Sequence, residues 1–346
     1  MKKKIVKIIV LLLIFLVGLL SLNSLLIPDK NKTRWSSFYK LPDNTIDMLF
    51  IGSSHCFTGF VPMIFNETLN IDSYHIGMAG TSIEQIYFML IEALKTQKPK
   101  IVVIELFSIR PIKTDSYEAK FIHSAFDGMK LSKNKIEAVN SNVSAGKRFE
   151  YFFQLAKYHS FWKDMDLNTL LHSTTNNAKY YGYKGLYTTP YKTKGEKIII
   201  DSPELNEIKY LPQSRIDILD DIAKLCSDNN IELIYVNVPF IKQLGVSQIE
   251  LAQYVNGYVN YAKDKDIDIL EYRFFNEVGL DKTHLWNDGH INIEGAYLIS
   301  NHLANYISDN YSESLNGITY DLKAETEQKL AEYLSELAVF ENSRKN

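Results

Sequence analysis

Two short segments carry residue types that do acyl chemistry together. The first, Ile46-Asp-Met-Leu-Phe-Ile-Gly-Ser-Ser-His55, is an apolar run that ends in Gly52-Ser53-Ser54. The second, Asp288-Gly-His-Ile-Asn-Ile-Glu-Gly295, lies far downstream. A serine hydroxyl attacks an acyl carbon only when a base takes its proton, and the base works best when a third group orients it. Ser54, His290 and Asp288 are of the three types required. Gly-Ser-Ser after a strand is also an ordinary loop, so the pair has meaning only in a fold that closes the distance.

The spacing of apolar residues predicts such a fold. Strands are expected over 46–51, 71–76, 101–106, 232–238 and 267–270, with helices over 82–96, 216–229, 248–263 and 292–308 between and after them. Strand–helix alternation at this spacing predicts a parallel, flavodoxin-like sheet in a three-layer α/β/α sandwich. Such sheets bind ligands at the carboxyl ends of their strands, near the point where strand order reverses. Ser54 follows the first strand and Glu105–Ser108 follows the third.

Gly52-Ser53-Ser54 resembles the Gly-Asp-Ser block of the SGNH (GDSL-type) hydrolases, with Ser54 on the nucleophile and Ser53 on the aspartate. His290, with Asn292 and Gly295-Ala296, resembles the last block of that superfamily. Gly77-Met-Ala-Gly-Thr-Ser82 resembles the second block, which implies an oxyanion hole made by the N–H groups of Ser54 and Gly80, with Gly77 as the alternative. The likeness covers 45–308 and is greatest to the membrane-anchored wall-polymer branch, which includes the D-alanyl transfer proteins of teichoic-acid synthesis. Two departures stand out. The superfamily's aspartate three residues before its histidine is here Asn287, so either Asp288 orients His290 or a backbone carbonyl does. The Gly-x-Asn-Asp block after strand three is replaced by Glu105-Leu-Phe-Ser108. Asp281-Lys-Thr-His284 has the family spacing but lacks the Asn and Gly-Ala that follow. His55 and Cys56 next to Ser54 read as a pocket-rim residue and a small buried residue.

The chain opens with a basic tail, 1–4, and an apolar run, 5–27, long enough to span a bilayer. The lysines before it place the remainder outside the cytoplasm. A cleaved signal peptide is the rival reading, but no small-x-small site follows the run. Next come an irregular polar linker (28–43), an SGNH-like domain (44–312) interrupted by an insertion (110–211), and a helical tail (313–346). Within the insertion, 148–162 has amphipathic spacing and 180–191 is rich in tyrosine, which fits either a sugar-binding surface or local packing. The net charge of −3 gives no sign of nucleic-acid binding. No metal-ligand spacing and no nucleotide motif is present, so no metal or cofactor is expected. Two cysteines, Cys56 and Cys226, make no disulfide framework.

These readings predict an anchored, extracytoplasmic serine esterase or O-acyltransferase. Its substrate would be an acylated wall polymer or polysaccharide, and a membrane acyl-export protein is the implied partner. The alternative is a catalytically weak scaffold or binding subunit of a polysaccharide assembly machine.

Overall fold

Strands apolar on both faces must be covered on both faces, and this sets the architecture. In the computed structural model five strands form one parallel sheet: β1 (Met48–Ile51), β2 (Ser73–His75), β3 (Ile101–Glu105), β4 (Glu232–Asn237) and β5 (Asp268–Glu271). Their order is β2-β1-β3-β4-β5. The structure describes residues 2–25, 29–109, 115–159, 163, 183–190, 202–240, 247–273, 278–318 and 321–345.

The strand period of two splits the core. Leu49, Ile51, Val102, Ile104 and Tyr235 point to one face. There they meet α5 (Ile83–Ala93), α10 (Gln213–Asp228) and α11 (Gln248–Asp264). Met48, Phe50, Val103, Ile234 and Val236 point to the other face, against α4 (Pro62–Leu69), α12 (Ile293–Tyr311) and α13 (Lys323–Lys345). The helical tail packs on this face: Tyr333, Leu337 and Phe340 are buried, while Leu334 faces outward.

The chain leaves β1 for β2 on one side and later returns to β3 on the other. The sheet therefore reverses between β1 and β3, and the first strand delivers Ser54 there. Register puts Ile51 beside Ile104, so the turn after β1 lies against the end of β3.

Two expected features differ. The linker is not irregular, because α2 (Asp29–Phe38) is a helix whose Trp35 and Phe38 are fully buried. Its polar residues hid this, yet two large aromatics on one helical face suffice to dock it. The single helix expected over 148–162 is two short ones, α8 (Phe149–Phe152) and α9 (Leu155–Tyr158), broken at Phe153 with φ −127° and ψ 79°. Tyr151 turns inward to stack at 3.9 Å on His123 of α6 (Asp115–Phe126), the helix before α7 (Lys133–Asn142). Trp162, like Tyr180, Tyr181 and Tyr191 of the tyrosine cluster, lies outside the described residues. The apolar N-terminal helix α1 runs Lys2–Leu25. Its stretch Lys3–Asn23 has mean hydropathy 3.0 and is long enough to cross a membrane.

Candidate active site

The geometry begins with the turn after β1. Ser53 is the N-cap of α3 (Ser54–Gly59), and its hydroxyl accepts from the His55 N–H at 3.3 Å. The same hydroxyl donates to Glu105 Oε2 at 2.8 Å, and the Ser53 N–H donates to that oxygen at 3.3 Å. Glu105 Oε1 accepts from the Phe107 N–H at 2.5 Å. A fully buried carboxyl group at the end of β3 thus clamps the Ser53–Ser54 turn. Gly52 makes the approach possible, since a Cβ there would stand 2.8 Å from that of Glu105. A polar group this deep in the core is tolerable because N–H and O–H donors satisfy its oxygens. The sequence showed Glu105 as the one charge in an otherwise apolar strand, without showing its partners.

Ser54 is the first residue of α3 and only partly buried. Its Oγ lies 2.7 Å from His290 Nε2. His290 comes from the other end of the domain, on a two-stranded hairpin of β6 (Leu285–Asn287) and β7 (His290–Ile291) just before α12. Asn292 caps α12, accepting from the N–H groups of Glu294 and Gly295 at 3.2 and 3.1 Å. The cap ends the hairpin and fixes where His290 stands.

The side chain beside the far nitrogen of His290 is that of Asn287: its Oδ1 lies 3.0 Å from His290 Nδ1, in the place expected of Asp288. The physical reason is the turn. Asn287 Oδ1 also accepts from the Gly289 and His290 N–H groups, at 2.8 and 3.0 Å, and this folds its side chain back under the ring. The two backbone donors settle which end of the amide is oxygen. An oxygen facing Nδ1 requires the proton on Nδ1, so Nε2 presents a lone pair to Ser54. That is the tautomer a general base needs. An amide, unlike a carboxylate, adds little stabilisation to the imidazolium once the proton arrives.

Behind this pair the site is aromatic. His55 is fully buried rather than on a rim. It stacks on Phe107 at 3.8 Å and lies 4.8 Å from the His290 ring. Trp286 leans on His290 from the hairpin at 5.6 Å. Phe57 of α3 meets Tyr187 of the insertion edge to face at 6.3 Å. Cys56 is buried with its thiol 3.5 Å from His75 Nδ1, and burial pushes its pKa well up, so it is no rival nucleophile. Gly80, expected in the oxyanion hole, has φ +67°, and the Phe121 ring of α6 covers it so closely that no Cβ would fit. The second pair, Asp281 and His284, serves structure. Asp281 accepts from the Thr283 N–H at 2.7 Å, His284 Nδ1 accepts from the Asp281 N–H at 2.9 Å, and the His284 carbonyl accepts from the Asn292 N–H. Among the described residues no group of three or more His, Cys, Asp and Glu could hold a metal ion.

No family model matches the sequence. No curated protein matches it either. Solved structures are similar at low identity. A GDSL-like lipase from Bacteroides thetaiotaomicron is 15% identical over 82% of this chain and 99% of its own, with a TM-score of 0.42. A protein described as an acylhydrolase from Bacteroides fragilis is 13% identical over 81% and 97%, with a TM-score of 0.41. An acetyl xylan esterase from Butyrivibrio proteoclasticus is 9% identical over 78% and 65%, with a TM-score of 0.31. At these values the function of this chain must rest on its own residues.

Proposed function

We propose that this chain is a serine enzyme of the SGNH type that moves acyl groups from esters through an acyl-Ser54 intermediate. One observation carries the reading: Ser54 Oγ stands 2.7 Å from a histidine nitrogen whose lone pair is aimed at it by Asn287. His290 takes the Ser54 proton as Oγ bonds to the acyl carbon. It returns that proton to the departing alcohol oxygen as the ester bond breaks. A second alcohol or water then attacks the acyl-serine and gives its proton to His290, which passes it to Ser54 Oγ as the acyl–Oγ bond breaks. The Ser54 and Gly80 N–H groups are the proposed donors to the oxyanion.

The substrate we propose is an O-acylated wall polymer or polysaccharide outside the cytoplasm, with water or a sugar hydroxyl as acceptor. The α1 helix, the lysines before it and the aromatic faces of Trp286, Phe57 and Tyr187 beside the site support this. A membrane acyl-export protein would be the partner. The test is labelling by a fluorophosphonate probe. Labelling of the wild type and none of Ser54→Ala is expected; an unlabelled wild type overturns the reading.

The second reading is a catalytically weak scaffold or binding subunit. The neutral Asn287 favours it, because a base without a charged partner is weaker. It predicts binding of the polysaccharide without probe labelling.

A further inference from the structure

The far end of α1 is joined to the insertion. Asn23 donates through Nδ2 to Gln154 Oε1 at 2.7 Å, and its Oδ1 accepts from the Leu155 N–H at 2.7 Å. Both partners lie at the start of α9, Gln154 as its N-cap and Leu155 as its first residue. The apolar stretch Lys3–Asn23 of α1 has side chains exposed along its length. At ~1.5 Å per residue its 21 residues match a hydrocarbon core of about 30 Å. If that stretch spans a bilayer, Asn23 stands at its surface, and the segment hydrogen-bonded to Asn23 stands there too.

The segment has the chemistry for that place. Phe149 is 66% exposed, and its ring pairs with that of Phe153 at 5.6 Å. Lys147 and Lys157 are exposed on either side. From 147 to 159 three cations face one carboxylate, Glu150. An exposed aromatic flanked by cations is the pattern of an interfacial segment, with rings in the headgroup boundary and ammonium groups at lipid phosphates. The segment is also held firmly from behind. Tyr158 donates to Asp127 Oδ2 at 2.6 Å, His123 Nδ1 pairs with Asp127 Oδ1 at 2.9 Å, and Tyr151 stacks on His123. A ring this exposed on so well tied a support is suited to an apolar environment outside the chain.

We propose that residues 147–159 form a second membrane contact, lying on the bilayer surface with the Phe149 ring in the lipid boundary. The proposal rests on α1 as a membrane span. It carries a consequence for the site, since the α6 that holds this segment also places Phe121 over Gly80. The oxyanion loop and the membrane contact are therefore braced by one helix.

The test uses the full chain reconstituted in vesicles of phosphatidylcholine and phosphatidylglycerol. Single cysteines at Ala156→Cys, Val10→Cys and Lys224→Cys are labelled with an environment-sensitive fluorophore, Cys56 and Cys226 being buried. Quenching is read with nitroxides fixed near the lipid headgroup or deep in the chains. Position 156 should be quenched by the shallow nitroxide, position 10 by the deep one, and position 224 by neither. Adding Phe149→Ser should cut quenching at 156 by at least about half while leaving position 10 unchanged. Quenching at 10 without quenching at 156 overturns the proposal and leaves the span standing. No quenching at either position overturns the span and the proposal together. Quenching at 156 that ignores Phe149→Ser overturns the role given to that ring.

Discussion

His284 and His290 lie in one stretch of chain, and each has a polar residue three places before it, Asp281 and Asn287. The two pairs have the same spacing and do different work. Asp281–His284 has the charged partner, yet its bonds go to its own short turn and to the start of α12. Asn287–His290 has only an amide, yet its imidazole reaches Ser54. What separates them is the hairpin. β6 and β7 carry the second pair to Ser54, while the first sits in the short turn before β6 and bonds to the start of α12. A motif read by spacing alone ranks the carboxylate pair first, and topology reverses the ranking.

The contrast breaks most visibly at the nucleophile. Ser54→Ala and His290→Ala should each lower ester turnover by roughly 10⁴-fold, because the two groups act as one unit. His284→Ala should leave kcat/KM of the folded protein within about threefold. Steady-state kinetics with an aryl acetate reads all three, and a larger loss from His284→Ala than from His290→Ala would exchange their roles.

A finer test converts one pair into the other. Asn287→Asp keeps acceptors for the Gly289 and His290 N–H groups but adds a charge beside Nδ1. An opposite charge this close favours the imidazolium, so the acid limb of the kcat/KM profile should move up by about one pH unit or more. The plateau rate should rise with it. Asp288→Asn should leave the limb in place. A limb that follows Asp288 instead would restore that carboxylate as the orienting group.

The effect of His284 on stability should be smaller. His284→Ala removes a buried ring that accepts from the Asp281 N–H, a loss of about 1 kcal/mol. For a domain of this size that is a fall in Tm of about 2–4 °C. The His290→Ala protein should melt within about 1 °C of wild type, since its ring is only half buried. Calorimetry of the two variants side by side checks the split.

An effect confined to acid pH concerns His75, buried behind the Ser54 turn. Burial lowers its pKa from the ordinary 6.5 to about 3, opposed by a hydrogen bond to the Phe60 carbonyl and assisted by Arg34. The folded state therefore keeps the ring neutral where the unfolded chain protonates it. Its contribution to stability is complete above pH 6.5 and is lost as pH falls towards about 3. His75→Gln should flatten the dependence of Tm on pH in that window. An unchanged slope would show that other groups set it.

Much of this was legible in the sequence because buried parallel strands must read as apolar runs and helices between them as periodic ones. The same chemistry singled out Ser54 and His290, since few residue types serve as nucleophile and base. Asn287 was not legible as the orienting group. Which of two adjacent side chains lies under a ring is decided by a turn too short to show any period. Glu105 stood out as a charge, but its partners are set by the β1–β3 register. The docking of α2 was hidden because Trp35 and Phe38 are few among many polar neighbours, and a helix needs only a narrow apolar stripe to be held.

The two hydrogen bonds of Asn23 alter what kind of anchor α1 would be. A domain on a slack tether samples a broad range of heights and tilts, and its reach is a distribution set by tether length. A domain gripped at the last turn of its span has one standing height. In a membrane, Ser54 would then stand at a fixed distance from the bilayer, and that distance would select which groups above the surface it can touch.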